Sequence, residues 1–465
     1  MRFSVFNFIV FLMRTKSLFL HQFPFNMPQK GAVMNGLKRL LCASSMRKGV
    51  KPQIPKINGF YGLLGPDVDK IKVKSLYELF TANGQIQGVF LKDGEPEFKN
   101  IKINTEKLKF EKKFIRIPQN IFSIAIVYIL NKLNLIPNLL GTANTALMKI
   151  NQSLYALFER DLPYELDIDQ KKKIIYTKTY TKIPYLATFS AHSKIIDNEI
   201  HTIDYDIIRR RINYFCLDLN FQIIKKATIQ TTYFPVVHDF LVLRDSILFM
   251  DSPFYFDIRI LFSSKIPVSF DETLPTKIHI YNFTTNKVRT LELEKGMYIF
   301  HYADFIETKN QIEFSGSLYQ KMDFSNLEIY GKYRKIIIDK NSPKVFIESD
   351  LETDKYNLDF PIQLKNRGKT DKQILLNFEN GGFNGFFILE KLKIKKKIFM
   401  DSKKICGEPA IFSLKNRNYL IGFSYDSNSN GFLFIIDLIN YQKWEINLNQ
   451  KLTLGFHSIF LNNQD

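Results

Sequence analysis

Seven histidines occur in this 465-residue chain, and four of them share a setting. His192 in "TFSAHSK", His238 in "PVVHDFL", His301 in "YIFHYADF" and His457 in "LGFHSIFL" each lie within or beside apolar, aromatic residues of strand type. One histidine so placed is usually a core residue with a hydrogen-bond partner. Four in the same context point to a common site. Neutral imidazoles suit a first-row metal such as iron, copper or zinc, and four of them on an octahedral ion leave two positions open. His21 stands apart near the N-terminus. His201 follows the polar "DNEI", and His279 sits in the alternating "KIHIYNF"; both look like ordinary strand or loop residues. Spacings of 46, 63 and 156 positions separate the four candidates, so no local helix motif of the H-E-x-x-H kind joins them. Tertiary structure must assemble the site.

The elements that would do so are short. From about residue 57 the chain alternates apolar runs with turns rich in Asp, Asn, Gly, Ser and Pro, as in "QGVFLKDGE", "KKIIYTKTY", "SILFMDSPF" and "RKIIIDKN". These are strand signals. "YLIGFSYDSNSNGFLFIIDL" reads as a hairpin, and "YFPVVHDFLVL" (233–243) as a buried strand that carries His238 and Asp239 inside it. Only "NIFSIAIVYILNKLNLIP" (120–137) reads as a helix. So many strands over about 400 residues fit a propeller or a large sandwich. Propeller blades of roughly 40–50 residues would return successive inner strands to one axis at about the intervals seen between the histidines.

Composition narrows the partners. The net charge is +19, yet residues 1–66 hold ten Lys or Arg and no acid, so about half of the excess lies there. The run "KLKIKKKIF" (391–399) alternates Lys with Leu and Ile, as a solvated strand face does. No recognition helix or aromatic–basic platform for nucleic acid is found. Cys42, Cys216 and Cys406 are odd in number and lack C-x-x-C spacing, so neither a disulfide framework nor a thiolate zinc site is expected. Residues 1–56 form a targeting leader or a disordered tail. Arg2 precedes an eleven-residue apolar run, and the basic, acid-free segment behind it resembles an organelle transit peptide. Residues 57–465 form the folded body.

The motifs in that body resemble the carotenoid cleavage oxygenase family, in order, from about Gly59 to Leu461. "GFYGLLGPD" is similar to G-x-Y-x-R-N-G-P-N, and "ANTALMKINQSLYALFERDLPYEL" to A-N-T-x-L-x-x-x-x-x-x-L-A-L-x-E-x-D-x-P-Y. "FSAHSK" is similar to T-A-H-P-K, and "VVHDFLVLRDSILFMDSPFYF" to M-H-D-F-A-I-T-x-x-Y-x-x-F-x-D-x-P. "FHYADFIE", "CGEPAIF" and "LGFHSIF" match the later motifs. The resemblance implies a seven-bladed β-propeller with a helical cap over the iron face. It implies that His192, His238, His301 and His457 hold a non-haem Fe(2+). It further implies carboxylates behind three of them, matched to Glu159 for His238, Asp323 in "KMDFSN" for His301 and Glu408 for His457. No residue beyond the metal ligands is expected to be catalytic.

The implied activity is oxidative cleavage by O2 of a carotenoid or apocarotenoid double bond into two carbonyl products. "ERDLPYELDI" is nearest to the 9-cis-epoxycarotenoid dioxygenases. The alternative is a catalytically degenerate carotenoid-binding or interaction propeller, because the chain departs from the pattern at Leu63-Leu64, "FTANG" and Asp304-Phe305. The implied location is a plastid, the alternative cytoplasmic and membrane-associated. Peripheral membrane contact is expected through 120–137. At 100° per residue, Asn120, Ser123, Asn131 and Asn134 form one polar stripe on an otherwise apolar helix, preceded by Lys107, Lys109, Lys112, Lys113 and Arg116.

Overall fold

In the computed structural model the described residues are 54–462, apart from 69–72, 74, 115–116, 118–120, 134, 258–267, 328, 365–372 and 380–382. Of the leader expected over residues 1–56, residues 1–53 lie outside them. The folded body is a seven-bladed β-propeller of antiparallel blades.

Blade 1 combines Gly59–Pro66, Gly84–Lys92 and Glu95–Lys102 with the C-terminal strand His457–Asn462. Blade 2 spans Ala146–Ile150 to Ile174–Tyr180, and blade 3 Lys194–Ile196 to Ile223–Gln230. Blade 4 runs from Leu241–Val242 to Lys287–Leu293, interrupted by a small hairpin of Phe254–Phe256 and Val268–Phe270. Blade 5 covers Tyr298–Glu307 to Val345–Glu348, and blade 6 Asn357–Leu364 to Lys393–Phe399. Blade 7 opens with two short segments, Lys404–Cys406 and Ala410–Leu414, and ends at Lys443–Lys451.

Alternation explains the burial. Ile223–Gln230 and Lys443–Lys451, at the outer edges of their blades, are half exposed with period two. Interior strands such as Ser246–Asp251 are buried throughout, because neighbouring blades cover both faces. Separate apolar clusters fill the spaces between blades; one joins Ile278 and Leu248 of blade 4 to Ile312 and Phe314 of blade 5. The basic strand Lys393–Phe399 is solvated on most positions, as its pattern implied. The expected hairpin forms between Arg417–Asp426 and Asn430–Asp437.

Two local expectations are corrected. The stretch 233–243 is not a strand; only Leu241–Val242 pairs. Its polar groups are satisfied otherwise. Asp239 Oδ1 accepts from the Phe240 amide at 2.8 Å, Asp239 Oδ2 accepts from the Tyr302 amide at 3.0 Å, and Tyr205 donates its hydroxyl to the Val237 carbonyl. These contacts replace a ladder.

The helix at 120–137 is also shorter than expected. Three α-helices are described, α1 (Leu76–Thr81), α2 (Glu106–Lys113) and α3 (Ile121–Lys132), besides a short 3-10 turn at Thr353–Lys355. Pro137 disfavours helical backbone at the residue before it, and the Asn131 side-chain amide donates to the Ile136 carbonyl at 3.4 Å. The chain has therefore turned out of the helix before the proline.

Candidate metal centre

Each blade contributes one functional side chain, six of them from its axis-side edge strand or the loop before or beside it and Glu159 from the loop after the second strand of blade 2. His192 precedes the first strand of blade 3, and His238 that of blade 4. His301 lies in the first strand of blade 5, and His457 begins the closing strand of blade 1. The other three blades supply acids: Glu159 from the loop after Ser153–Leu157 of blade 2, Asp359 from the first strand of blade 6, and Glu408 from between the two opening segments of blade 7.

The four imidazoles converge so that one ligand atom of each lies within 4.8 Å of the others. His192 Nε2 and His238 Nε2 are 2.9 Å apart. Ring centroids are 4.7 Å apart for His192–His457, 5.0 Å for His301–His457 and 5.2 Å for His238–His301. Such crowding of four polar rings is costly unless something shared accepts their lone pairs.

Three rings are oriented from behind. His301 Nδ1 is 2.9 Å from Asp359 Oδ1, and His457 Nδ1 is 3.1 Å from Glu408 Oε1. His238 Nδ1 is 2.9 Å from Glu159 Oε1, a close contact whose angle falls short of a straight hydrogen bond. A carboxylate on Nδ1 fixes the tautomer with the proton there and leaves Nε2 as a bare lone pair aimed inward. The acids are themselves held. Asp359 Oδ2 accepts from the Tyr319 hydroxyl at 2.5 Å, and Glu408 Oε2 from the Ser458 amide at 2.6 Å. The Tyr61 hydroxyl donates to the Glu408 carbonyl at 2.8 Å.

Protonation follows. Burial, and then the other three histidines, hold His192 well below the usual imidazole range. Burial also lowers His301, outweighing the attraction of Asp359. Burial pushes the Asp359 and Glu159 carboxyls up, but the imidazoles beside them more than compensate, and both end below the usual range. His457 moves the other way: burial lowers it, and Glu408, with Glu159 and Asp359 nearby, raises it by more. Neutral rings such as His192 and His301, the latter backed by the ionised Asp359, are ready-made ligands.

His301 Nε2 is buried and has no hydrogen-bond partner. An orphaned buried nitrogen at the convergence of four imidazoles fits a bound metal ion and little else. The donor set is all nitrogen, without thiolate, which suits iron, copper or zinc.

Asp323 does not belong to this site. It is exposed in the loop after Gln311–Tyr319, where it accepts from the Ser325 amide and the Asn326 side chain. Asp359 takes the place behind His301. Both acids precede a phenylalanine, but "NLDFPIQL" has strand alternation around its acid whereas "KMDFSN" has turn residues. That contrast was the available signal. Asp359 sits at a break in the pairing of Asn357–Leu364, which aims it inward. Phe360 beside it adopts φ +53°. Its ring lies 5.1 Å from His301 and 5.4 Å from His457.

Aromatic residues wall the rest. Phe300 is 5.4 Å from His238, and Tyr298, Phe254, Tyr319 and Phe324 pack with it, joined by Phe80 of α1. Asp239 does what its place inside an apolar run demanded: besides its two backbone contacts it pairs with Lys194 at 2.7 Å, which ties the His192 and His238 segments together.

The family model described as retinal pigment epithelial membrane protein matches residues 46–462. Over 287 residues the chain is 27% identical to carotenoid 9,10(9',10')-cleavage dioxygenase 1 of Arabidopsis thaliana, covering 55% of this chain and 51% of that protein. Over 312 residues it is 25% identical to the Pisum sativum protein of the same name, covering 62% and 56%. The chain spans about half the length of these curated relatives. Among solved structures, lignostilbene dioxygenase of Pseudomonas brassicacearum superposes with a TM-score of 0.72 at 16% identity, over 88% of this chain and 93% of that one. Cobalt-substituted apocarotenoid oxygenase of Synechocystis gives 0.68 at 14%, over 88% and 93%. At such identities the likeness is one of fold.

Proposed function

Because the chain belongs to the carotenoid cleavage oxygenase family, we propose that it is a non-haem iron(II) dioxygenase that splits one double bond of a carotenoid or apocarotenoid into two carbonyl products. The supporting observation is the convergence of four imidazoles, three backed by carboxylates, around the orphaned Nε2 of His301. When bound, iron(II) supplies the activation of O2 at the polyene double bond. The chain's own residues do the positioning. Asp359 and Glu408 accept the Nδ1 protons of His301 and His457, and Glu159 lies against Nδ1 of His238, which fixes the ring planes. Phe300, Phe360 and their aromatic neighbours present an apolar wall that accepts a polyene and excludes water.

Two finer readings of the substrate compete. The segment "ERDLPYELDI" favours 9-cis-epoxycarotenoid cleavage, whereas the plant proteins reported above are named for 9,10(9',10') cleavage, which favours the second. A degenerate propeller is disfavoured by the intact set of four histidines and three acids. Product analysis after expression in carotenoid-accumulating bacteria tests the activity and names the bond. Iron-free protein that Fe(II) and ascorbate fail to activate would overturn it.

The substrate's apolar character makes a membrane contact part of this reading. Ser123 and Val127 of α3 are buried, while Ala125 and Ile129, and Leu133 just past its end, are exposed. The helix therefore turns its polar stripe toward the protein and its apolar face outward, the reverse of an ordinary surface helix. Ile129 is 55% exposed and Leu133 62%. Asn120 and Asn134 of the stripe lie outside the described residues. Lys109, Lys112 and Lys113 of α2 are exposed and could meet anionic lipid. Lys107 is not available, being buried against Glu111 at 3.0 Å, and Arg116 lies outside the described residues.

A further inference from the structure

Blade 3 holds a second cluster of ligand-type side chains that the oxygenase chemistry does not use. His201 and Cys216 are directly opposed partners on adjacent strands. Glu199, two residues before His201, projects from the same face, since side chains alternate along a strand. One ligand atom of each lies within 4.8 Å of the other two. The Cys216 thiol donates to Glu199 Oε2 at 3.1 Å, and His201 Nδ1 is 2.6 Å from the Tyr214 hydroxyl. His201 and Cys216 are 6% and 4% exposed, whereas Glu199 is half-buried and opens the cluster to solvent. The pairing of Arg211–Asp218 with its outer neighbour slips between Cys216 and Leu217, a break of the kind that re-aims a side chain.

We propose that Glu199, His201 and Cys216 form a second metal site, which takes one borderline divalent ion of the zinc class. Nitrogen, thiolate and carboxylate are the ligands zinc accepts, at about 2.0–2.3 Å. A tetrahedral ion with such bonds separates its ligand atoms by about 3.5 Å, so a spacing within 4.8 Å needs to close by no more than about 1.3 Å. Without metal, the cluster rests as a hydrogen-bonded knot. Burial, and then the Glu199 carboxylate, push the Cys216 thiol up to about 12, and burial keeps His201 neutral. Metal binding therefore releases the thiol proton, as thiolate sites do. The fourth position falls to water on the Glu199 side. Spacing along the chain gives no hint of this site, because its cysteine stands alone; only strand pairing brings the three together.

Cobalt(II) is the probe, because a thiolate-to-cobalt charge-transfer absorption cannot arise from a centre built of histidines. Iron-loaded protein titrated with Co2+ is expected to develop this absorption, saturating at one equivalent, and Zn2+ should abolish it. The signal should persist in His238→Ala and vanish in Cys216→Ser. His201→Gln keeps the thiol and should still weaken binding, which preserves the test if the cysteine variant misfolds. No sulfur absorption in folded wild-type protein overturns the proposal. So does an absorption that survives Cys216→Ser, or one unchanged in His201→Gln.

Discussion

At the scale of single residues, the acid behind His301 carries the clearest test. Asp359 touches the imidazole and Asp323 does not. Asp359→Asn is expected to lower metal affinity or turnover by about 10–100-fold, and Asp323→Asn to leave both within error; metal content and single-turnover rates measured on the two variants decide between them. Tyr319→Phe should have a smaller effect in the same direction, because its hydroxyl steadies the far oxygen of Asp359. A second residue sets a pH dependence. Burial pushes the Asp161 carboxyl up to about 7, although Tyr180, the Leu162 amide, Tyr164 and Asn138 all donate to it. Between about pH 4 and 7 the folded chain then holds a proton that the unfolded chain has lost. By linkage, stability falls as pH rises through that window and is level above it. Asp161→Asn should remove this slope, worth up to about 4 kcal/mol for a three-unit shift; urea unfolding of both proteins at pH 4 and pH 8 measures the difference.

At the scale of elements, α3 decides whether the protein reaches its substrate from a membrane. Ile129→Glu with Leu133→Glu places two charges on the exposed face without entering the packed one. Liposome flotation should show release of the variant, with its melting temperature within a few degrees of wild type. Continued flotation of the variant would remove this face of α3 as the membrane contact, and a sharp loss of stability would mean that the face is packed. The loop around Asp161 shows a different constraint. A Cβ at Gly141 would collide with the Asp161 carboxylate, so the close approach of these segments requires glycine there whatever its backbone angles.

The folded body is a ring of seven blades, and a ring has to be closed. His457–Asn462 pairs with Gly59–Pro66, Leu64 opposite His457, so the last strand completes the first blade. The same strand delivers the fourth imidazole. Deletion from residue 457 onward should therefore do two things at once: expose the edge of Gly59–Pro66 and remove a ligand. Calorimetry is expected to show a broadened, lowered transition, larger than the effect of His457→Ala, which takes the ligand and leaves the strand. Equal melting of the two variants would show that closure contributes little.

Much of this protein was legible in its sequence because much of it is local. Alternating apolar runs between turn residues fix strands, and so many short strands fix an all-β architecture. The four histidines stood out because each was polar in an apolar setting, whereas Glu159 and Glu408 were identified only through the resemblance of their motifs to the family's. What sequence could not decide depends on distance along the chain. Asp323 and Asp359 are both acids before phenylalanine, and only the fold of blade 6 shows which one reaches His301. The stretch around His238 has strand composition, yet its Phe240 amide donates to the side chain of the neighbouring Asp239, its Val237 carbonyl accepts from Tyr205 of blade 3, and its Asp239 carboxylate accepts from the Tyr302 amide of blade 5. The outward apolar face of α3 required knowing where the body of the protein lies. The Glu199–His201–Cys216 cluster exists only through strand register, because a one-residue slip would send one partner to the opposite face. Composition and periodicity act within a few residues; the partners of a buried polar group are chosen by tertiary packing.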